Sequence, residues 1–131
     1  MKKAVIIMGS TADEAHAKKI TDKLDEYGIS WEQYAASAHK QPLKVLEILQ
    51  TNATEKALVY VTIAGRSNAL SGFVAANSEF PTIACPPFAD KVDMLVNIHS
   101  TLQMPSKAPV LTVIDPGNAA LAVKRILDLS A

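Results

Sequence analysis

An α/β protein, with a parallel sheet covered by helices on both faces, is the fold this sequence predicts. Two observations carry the prediction. Strand-length runs are apolar on both faces, and they alternate with segments of helical period five times in 131 residues. That length suits one domain, residues 1–131, with a single sizeable core.

The elements follow in order. Ala4 to Met8 is a continuous buried-type strand. Asp13 to Tyr27 has helical period, with Ala17, Ile20, Leu24 and Tyr27 on one face; Thr11 and Glu14 fit a capping box at its start and Gly28 fits the position just past its end. Trp31 to Ala36 is a weaker strand. Pro42 opens a second helix, to about Gln50, where a missing N–H costs nothing. Lys56 to Ile63 is the third strand, and a short helix follows from Ala69 to about Asn77. Thr82 to Cys85 is the fourth strand; Lys91 to Leu102 reads as one helix, with Val92, Leu95, Ile98 and Leu102 on a shared face. Val110 to Ile114 is the fifth strand, and a last helix runs from about Asn118 to Leu129.

Five such units at this size match a flavodoxin-like domain, whose usual strand order is 2-1-3-4-5. Strand 1 then lies between strands 2 and 3. A crevice opens at the carboxyl ends of strands 1 and 3, with the loop after strand 2 beside it. Ligand chemistry is therefore expected from residues 9–13, 37–40 and 65–68.

Composition excludes several classes of function. Lys+Arg and Asp+Glu number 13 each, so no long-range field draws nucleic acid or an anionic membrane. The one cysteine, Cys85, excludes an internal disulfide and a cysteine metal cluster; it reads as a small buried hydrophobe at a strand end. No metal site or cofactor is expected. Lys2 and Lys3 precede an apolar run of only five residues, too short for a signal core or a membrane span, so the expected setting is cytoplasmic.

The three loops contain polar groups suited to an anion and a proton. After strand 1, Gly9 allows a tight turn, Ser10 and Thr11 offer hydroxyls, and the start of the next helix offers free N–H groups: a phosphate cradle, or a plain helix cap. Asp13 is near enough to accept hydrogen bonds from sugar hydroxyls, and no P-loop lysine is present. After strand 2, Ser37-Ala38-His39-Lys40 sets an imidazole that titrates near neutrality beside an ammonium that can hold a phosphate or carboxylate; a solvated polar loop is the alternative. After strand 3, Gly65 and Ser67 let backbone amides approach a ligand, and Asn68 fits as a cap of the next helix. Arg66 pairs with an anion, braces the loop, or braces a subunit contact. His16 and His99 fall on helices as surface or interface residues, and Met94 and Met104 read as packing.

Taken together, Met8-Gly9-Ser10 with Asp13, then Ser37-Ala38-His39-Lys40, then Ala64-Gly65-Arg66-Ser67-Asn68 followed by Leu70-Ser71-Gly72, resemble the phosphoribosylaminoimidazole carboxylase (PurE) family of purine biosynthesis. Cys85-Pro86-Pro87, Leu102-Gln103-Met104-Pro105-Ser106 and Asn118-Ala119-Ala120-Leu121 look like it too, so the resemblance covers nearly the whole chain in order. It implies a flavodoxin-like fold, a homo-oligomer with sites between subunits, and aminoimidazole ribonucleotide (AIR) as substrate. By position it implies that Gly9 and Ser10 hold the phosphate and Asp13 the ribose. Ser37, Ala38 and His39 would lie by the imidazole, with His39 the general acid/base. Lys40 would lie near the phosphate, and Gly65, Arg66 and Ser67 by the carboxylate.

The family has two branches. The mutase branch, which moves a carboxylate from the exocyclic nitrogen to C4, normally has arginine where Lys40 stands and histidine where Ala69 stands. This wording resembles the other branch, a carboxy-lyase that joins CO2 to C4 of AIR without ATP. That branch is fused to a synthetase domain in animals and stands alone in some bacteria, and this chain fits the latter kind. The mutase and a non-catalytic nucleotide-binding paralogue are the alternatives. Three departures matter: Ala12 stands where serine is usual, Lys107 stands where glycine is usual, and the chain ends at Ala131 where members commonly continue into a tail helix that crosses neighbouring subunits. The shorter end counts against the usual octamer and leaves a tetramer or dimer open.

Overall fold

The computed structural model describes residues 2–130. Its sheet is five-stranded and wholly parallel, in the order β2-β1-β3-β4-β5. The strands are β1 (Lys2–Met8), β2 (Ser30–Ala35), β3 (Ala57–Ile63), β4 (Thr82–Ala84) and β5 (Leu111–Thr112). Between them run α1 (Glu14–Glu26), α2 (Pro42–Thr51), α3 (Leu70–Ala76), and the pair α4 (Lys91–Asn97) and α5 (His99–Leu102); α6 (Pro116–Leu127) follows β5. The expected fold, element order and strand order are therefore observed.

The central strands explain why the sheet is covered twice. Ala4, Val5, Ile6 and Ile7 of β1 are all fully buried, so both faces of the strand leave water. Ile6 with Val59 and Val61 packs against Ala17, Ile20 and Leu24 of α1 and Ala119 and Val123 of α6. Val5 and Ile7 with Leu58 and Tyr60 pack on the other side, against Val45 and Leu49 of α2 and Leu70 and Val74 of α3. Lys3, read from sequence only as part of a short basic start, is 8% exposed and pairs with Glu32 and Glu55. Cys85 is fully buried, and loss of water pushes its thiol up to about 12, with Asp115 adding to the shift, so it stays a neutral thiol.

Local chemistry sets the helix ends. Gly28 has φ +69°, and its N–H meets the Asp25 carbonyl while the Ile29 N–H meets that of Leu24, the paired bonds of a Schellman end. The expected capping box does not form. Thr11 to Asp13 make a 3-10 turn, which the Ser10 hydroxyl caps by accepting the Ala12 N–H at 3.1 Å, and Asp13 at the head of α1 makes no side-chain cap bond. The spacing of a capping box is fixed for an α-turn, and the tighter turn here moves the cap one residue upstream. The chain bends at Gly9 and Ser10 without a left-handed backbone at Gly9, whose N–H continues the ladder to the Ile63 carbonyl at 2.9 Å. At Gly72 a Cβ would meet Met104 Sδ at 2.8 Å, so that flexible side chain would have to shift to admit one.

The segment 91–102 departs further from expectation. It breaks into α4 and α5, and its apolar face points outward, with Val92, Leu95 and Leu102 each at least 59% exposed. Helical spacing reports that side chains share a face, not what that face meets. Beside a two-residue β5 there is little sheet for it to cover.

Lys107 has φ +67°, in a turn closed by the Ala108 N–H on the Pro105 carbonyl. A side chain in that region is strained, which accounts for the glycine expected there by resemblance. Lys107→Gly is expected to stabilise the fold by about 0.5–1 kcal/mol, the relief of strain exceeding the added freedom of the unfolded chain. A urea midpoint that falls in the variant would contradict this.

Candidate active site

The sheet order brings three loops to one edge. The Ala36 N–H pairs with the Met8 carbonyl and the Gly9 N–H with that of Ile63, so β2, β1 and β3 end level and release their loops side by side. A cleft opens there, at the point where the chain order reverses. It is lined by Gly9, Ser10 and Asp13 from the first loop, Ser37, Ala38, His39 and Lys40 from the second, and Gly65, Arg66 and Ser67 from the third. These are the ten residues that the resemblance assigns to the site, and the structure brings them together; Thr11, Ala12 and Asn68, also within the stretches expected from topology, lie outside the lining. Ala64, Ala69 and Leu70 complete the lining. Ala64 and Leu70 carry no polar signal by which a sequence reading finds them.

Each loop is held by its own bonds. In the second, the Ser37 hydroxyl accepts the Lys40 N–H at 3.2 Å, the Ser37 carbonyl accepts the Gln41 N–H at 2.7 Å, and Lys44 Nζ donates to the Ala35 carbonyl. The turn is thus fixed without help from His39, which stands exposed at its tip. His39 Nε2 lies 3.3 Å from the Ser67 carbonyl, joining the second loop to the third. In the third loop, the Arg66–Ser67 peptide is cis. Gly65 has no left-handed φ, and a Cβ on it would meet no atom within 4 Å, so the fold itself does not demand glycine there. Asn68 caps α3 as expected, accepting the Ser71 N–H at 3.1 Å.

Electrostatically the cleft suits an anion. Lys40 and Arg66 bring two cations, Asp13 the one lining carboxylate, and among the described residues neither cation has a salt-bridge partner. Loss of water raises the Asp13 carboxyl above its ordinary range, with nearby His16 opposing. A partly dried carboxylate makes stronger hydrogen bonds to hydroxyl donors than one in bulk water. Ser10 Oγ, although it accepts the Ala12 amide, keeps its own proton for an oxyanion. His16 lies outside the lining: its Nε2 is 2.9 Å from the Cys85 carbonyl, and burial lowers its affinity for a proton.

The whole chain has known relatives. A model of the family described as AIR carboxylase matches residues 3–131. A protein of Archaeoglobus fulgidus named phosphoribosylaminoimidazole carboxylase is 51% identical over 127 residues, 97% of this chain and 69% of that protein. One of Methanocaldococcus jannaschii named N5-carboxyaminoimidazole ribonucleotide mutase is 44% identical over 126 residues, 95% of this chain and 78% of that one. The crystal structure of Treponema denticola PurE superimposes with a TM-score of 0.92 at 41% identity, covering 100% of this chain and 83% of that one. With the same fold and relatives of this closeness, the chain belongs to the AIR carboxylase (PurE) family of enzymes.

Proposed function

We propose that this chain joins CO2 to C4 of 5-aminoimidazole ribonucleotide to give the 4-carboxy product (CAIR), without ATP, in purine biosynthesis. One observation carries this reading over its alternatives. His39 is the only histidine lining the cleft, and Lys40 and Ala69 line it where the mutase branch is expected to carry arginine and histidine. The carboxylase name of the Archaeoglobus relative supports the same branch.

In this reading the ribonucleotide phosphate sits by Ser10 and Lys40, the ribose by Asp13, and the imidazole by Ser37, Ala38 and His39. The aminoimidazole is an electron-rich enamine, so its C4 attacks the carbon of CO2 directly. The new C–C bond places negative charge on the two CO2 oxygens. Amides of Gly65 to Ser67, with Arg66, meet that charge as it develops, and donors fixed in advance are the kind that lower such a barrier. His39 then takes the C4 proton as the ring regains aromaticity, and in reverse it protonates C4 before CO2 leaves. The reading includes a cytoplasmic setting, in keeping with a single buried thiol.

The second reading is the mutase, favoured by the Methanocaldococcus relative. Purified chain assayed with AIR plus CO2, in parallel with N5-carboxylated AIR, separates the two. CAIR formed from the first mixture supports the carboxylase, CAIR formed only from the second overturns it, and ribonucleotide binding without turnover of either points to a non-catalytic paralogue.

The reading also includes a homo-oligomer, tetramer or octamer. Val92, Leu95 and Val96, at positions i, i+3 and i+4 of α4, are all more than 60% exposed and form one apolar stripe. Leu95→Glu is expected to shift the assembly to smaller species by light scattering while leaving the circular dichroism unchanged, since the side chain packs little on its own chain. An unchanged mass in the variant would remove α4 from the interface.

A further inference from the structure

Asn68, next to the loop that faces His39, is 4% exposed and saturated with hydrogen bonds. Its Nδ2 donates to Ser71 Oγ at 2.8 Å and Thr101 Oγ1 at 2.9 Å, and its Oδ1 accepts the Ser71 N–H. Ser71 Oγ lies 2.7 Å from Thr62 Oγ1 of β3. The Asn68 N–H donates to Ser100 Oγ at 3.0 Å. One side chain and one amide therefore tie β3, α3 and α5 together.

That amide belongs to the same rigid peptide unit as the Ser67 carbonyl. Its N–H end is fixed by Ser100, and its C=O end lies 3.3 Å from His39 Nε2. A carbonyl oxygen only accepts, so Nε2 is the donor; neutral His39 then carries its proton on Nε2 and its lone pair on Nδ1. Buried, satisfied networks hold a single geometry, because breaking one bond leaves a polar group unpaired.

We propose that the Ser67–Asn68 peptide, held by Ser100 and by the Thr62–Ser71–Asn68–Thr101 network, is a positioning device for His39 that leaves the Nδ1 lone pair as the site that takes up the substrate proton. Asn68, Ser100 and Thr101 are positioning residues; none lines the cleft. The role in turnover rests on the carboxylase reading, whereas the tautomer does not.

The test uses the full chain with 15N-labelled histidine, of which there are three, His39 being assigned by its loss in His39→Gln. In the parent protein the His39 Nδ1 and Nε2 shifts are expected to be those of an unprotonated and a protonated ring nitrogen. Ser100→Ala removes the single bond to the peptide N–H and Thr101→Val removes one acceptor of Asn68 at nearly constant shape, so both keep the experiment open should Asn68→Ala fail to fold. Both are expected to move the His39 shifts toward those of free histidine. Both should lower kcat for AIR carboxylation roughly tenfold with KM for AIR changed less than about twofold; Ser100→Thr and Thr101→Ser should restore both readouts. His39 shifts unchanged in Ser100→Ala and Thr101→Val, or shifts that move with kcat intact, would overturn the proposal. A parent chain that never turns over AIR, yet whose His39 shifts still respond, would instead overturn the carboxylase reading while upholding the tautomer assignment.

Discussion

His39→Gln is expected to lower kcat for AIR carboxylation by about 10²–10⁴-fold, the span over which a positioned proton carrier acts. Ribonucleotide affinity, measured by calorimetry, should stay within a few-fold of the parent value. The separation follows from the proposed roles together with the way the loop is held. The turn carrying His39 is closed by Ser37, Gln41 and Lys44, so exchanging an exposed imidazole for an amide of similar reach leaves the loop in place. In the proposed reading the phosphate and ribose sit by Ser10, Lys40 and Asp13, which the substitution does not touch. Glutamine can still donate a hydrogen bond to the Ser67 carbonyl, but it cannot take up the C4 proton at neutral pH. Turnover equal to the parent's would sink the assignment of His39 as the acid/base.

Ile6→Ala is expected to destabilise the fold by about 2–5 kcal/mol, from lost transfer energy and the cavity left behind. Against a usual total of about 5–15 kcal/mol this is a large share. Ile6 is fully buried in β1, a strand paired on both edges, and its side chain packs among residues of α1 and α6. The control is Leu111→Ala on edge strand β5, where the side chain is 53% exposed and the cost should stay below about 1 kcal/mol. Both are read by urea unfolding at one fixed protein concentration, because association adds to apparent stability. Equal losses at the two positions would contradict the burial that the sheet order assigns.

Much of the molecule was legible because its signals are local. The both-faces-apolar run of Ala4 to Met8 reports a central parallel strand, since only such a strand is covered twice. Gly28 reports a helix end because a left-handed residue is needed just past it. Once the strand order is given, the convergence of residues 9–13, 37–40 and 65–68 follows from topology alone. Where local signals misled, a nearby competitor won. The Ser10 cap of a tighter turn displaced the Thr11 capping box, and the broken segment 91–102 turned its apolar face away from a sheet too short to receive it.

By itself, then, the sequence determined the alternation of elements and the edge at which chemistry gathers, which rest on periodicity, turn chemistry and chain order acting over a few residues; the ten polar and small residues that line the cleft were what the family resemblance implied. The tertiary structure decided what depends on distant partners. Asn68 meets Thr101 and Ser100, 33 and 32 positions away, and His39 meets Ser67, 28 positions away. No pattern within the chain specifies those pairs, because each forms only after the sheet has fixed where β3 ends and where α5 lies beside it.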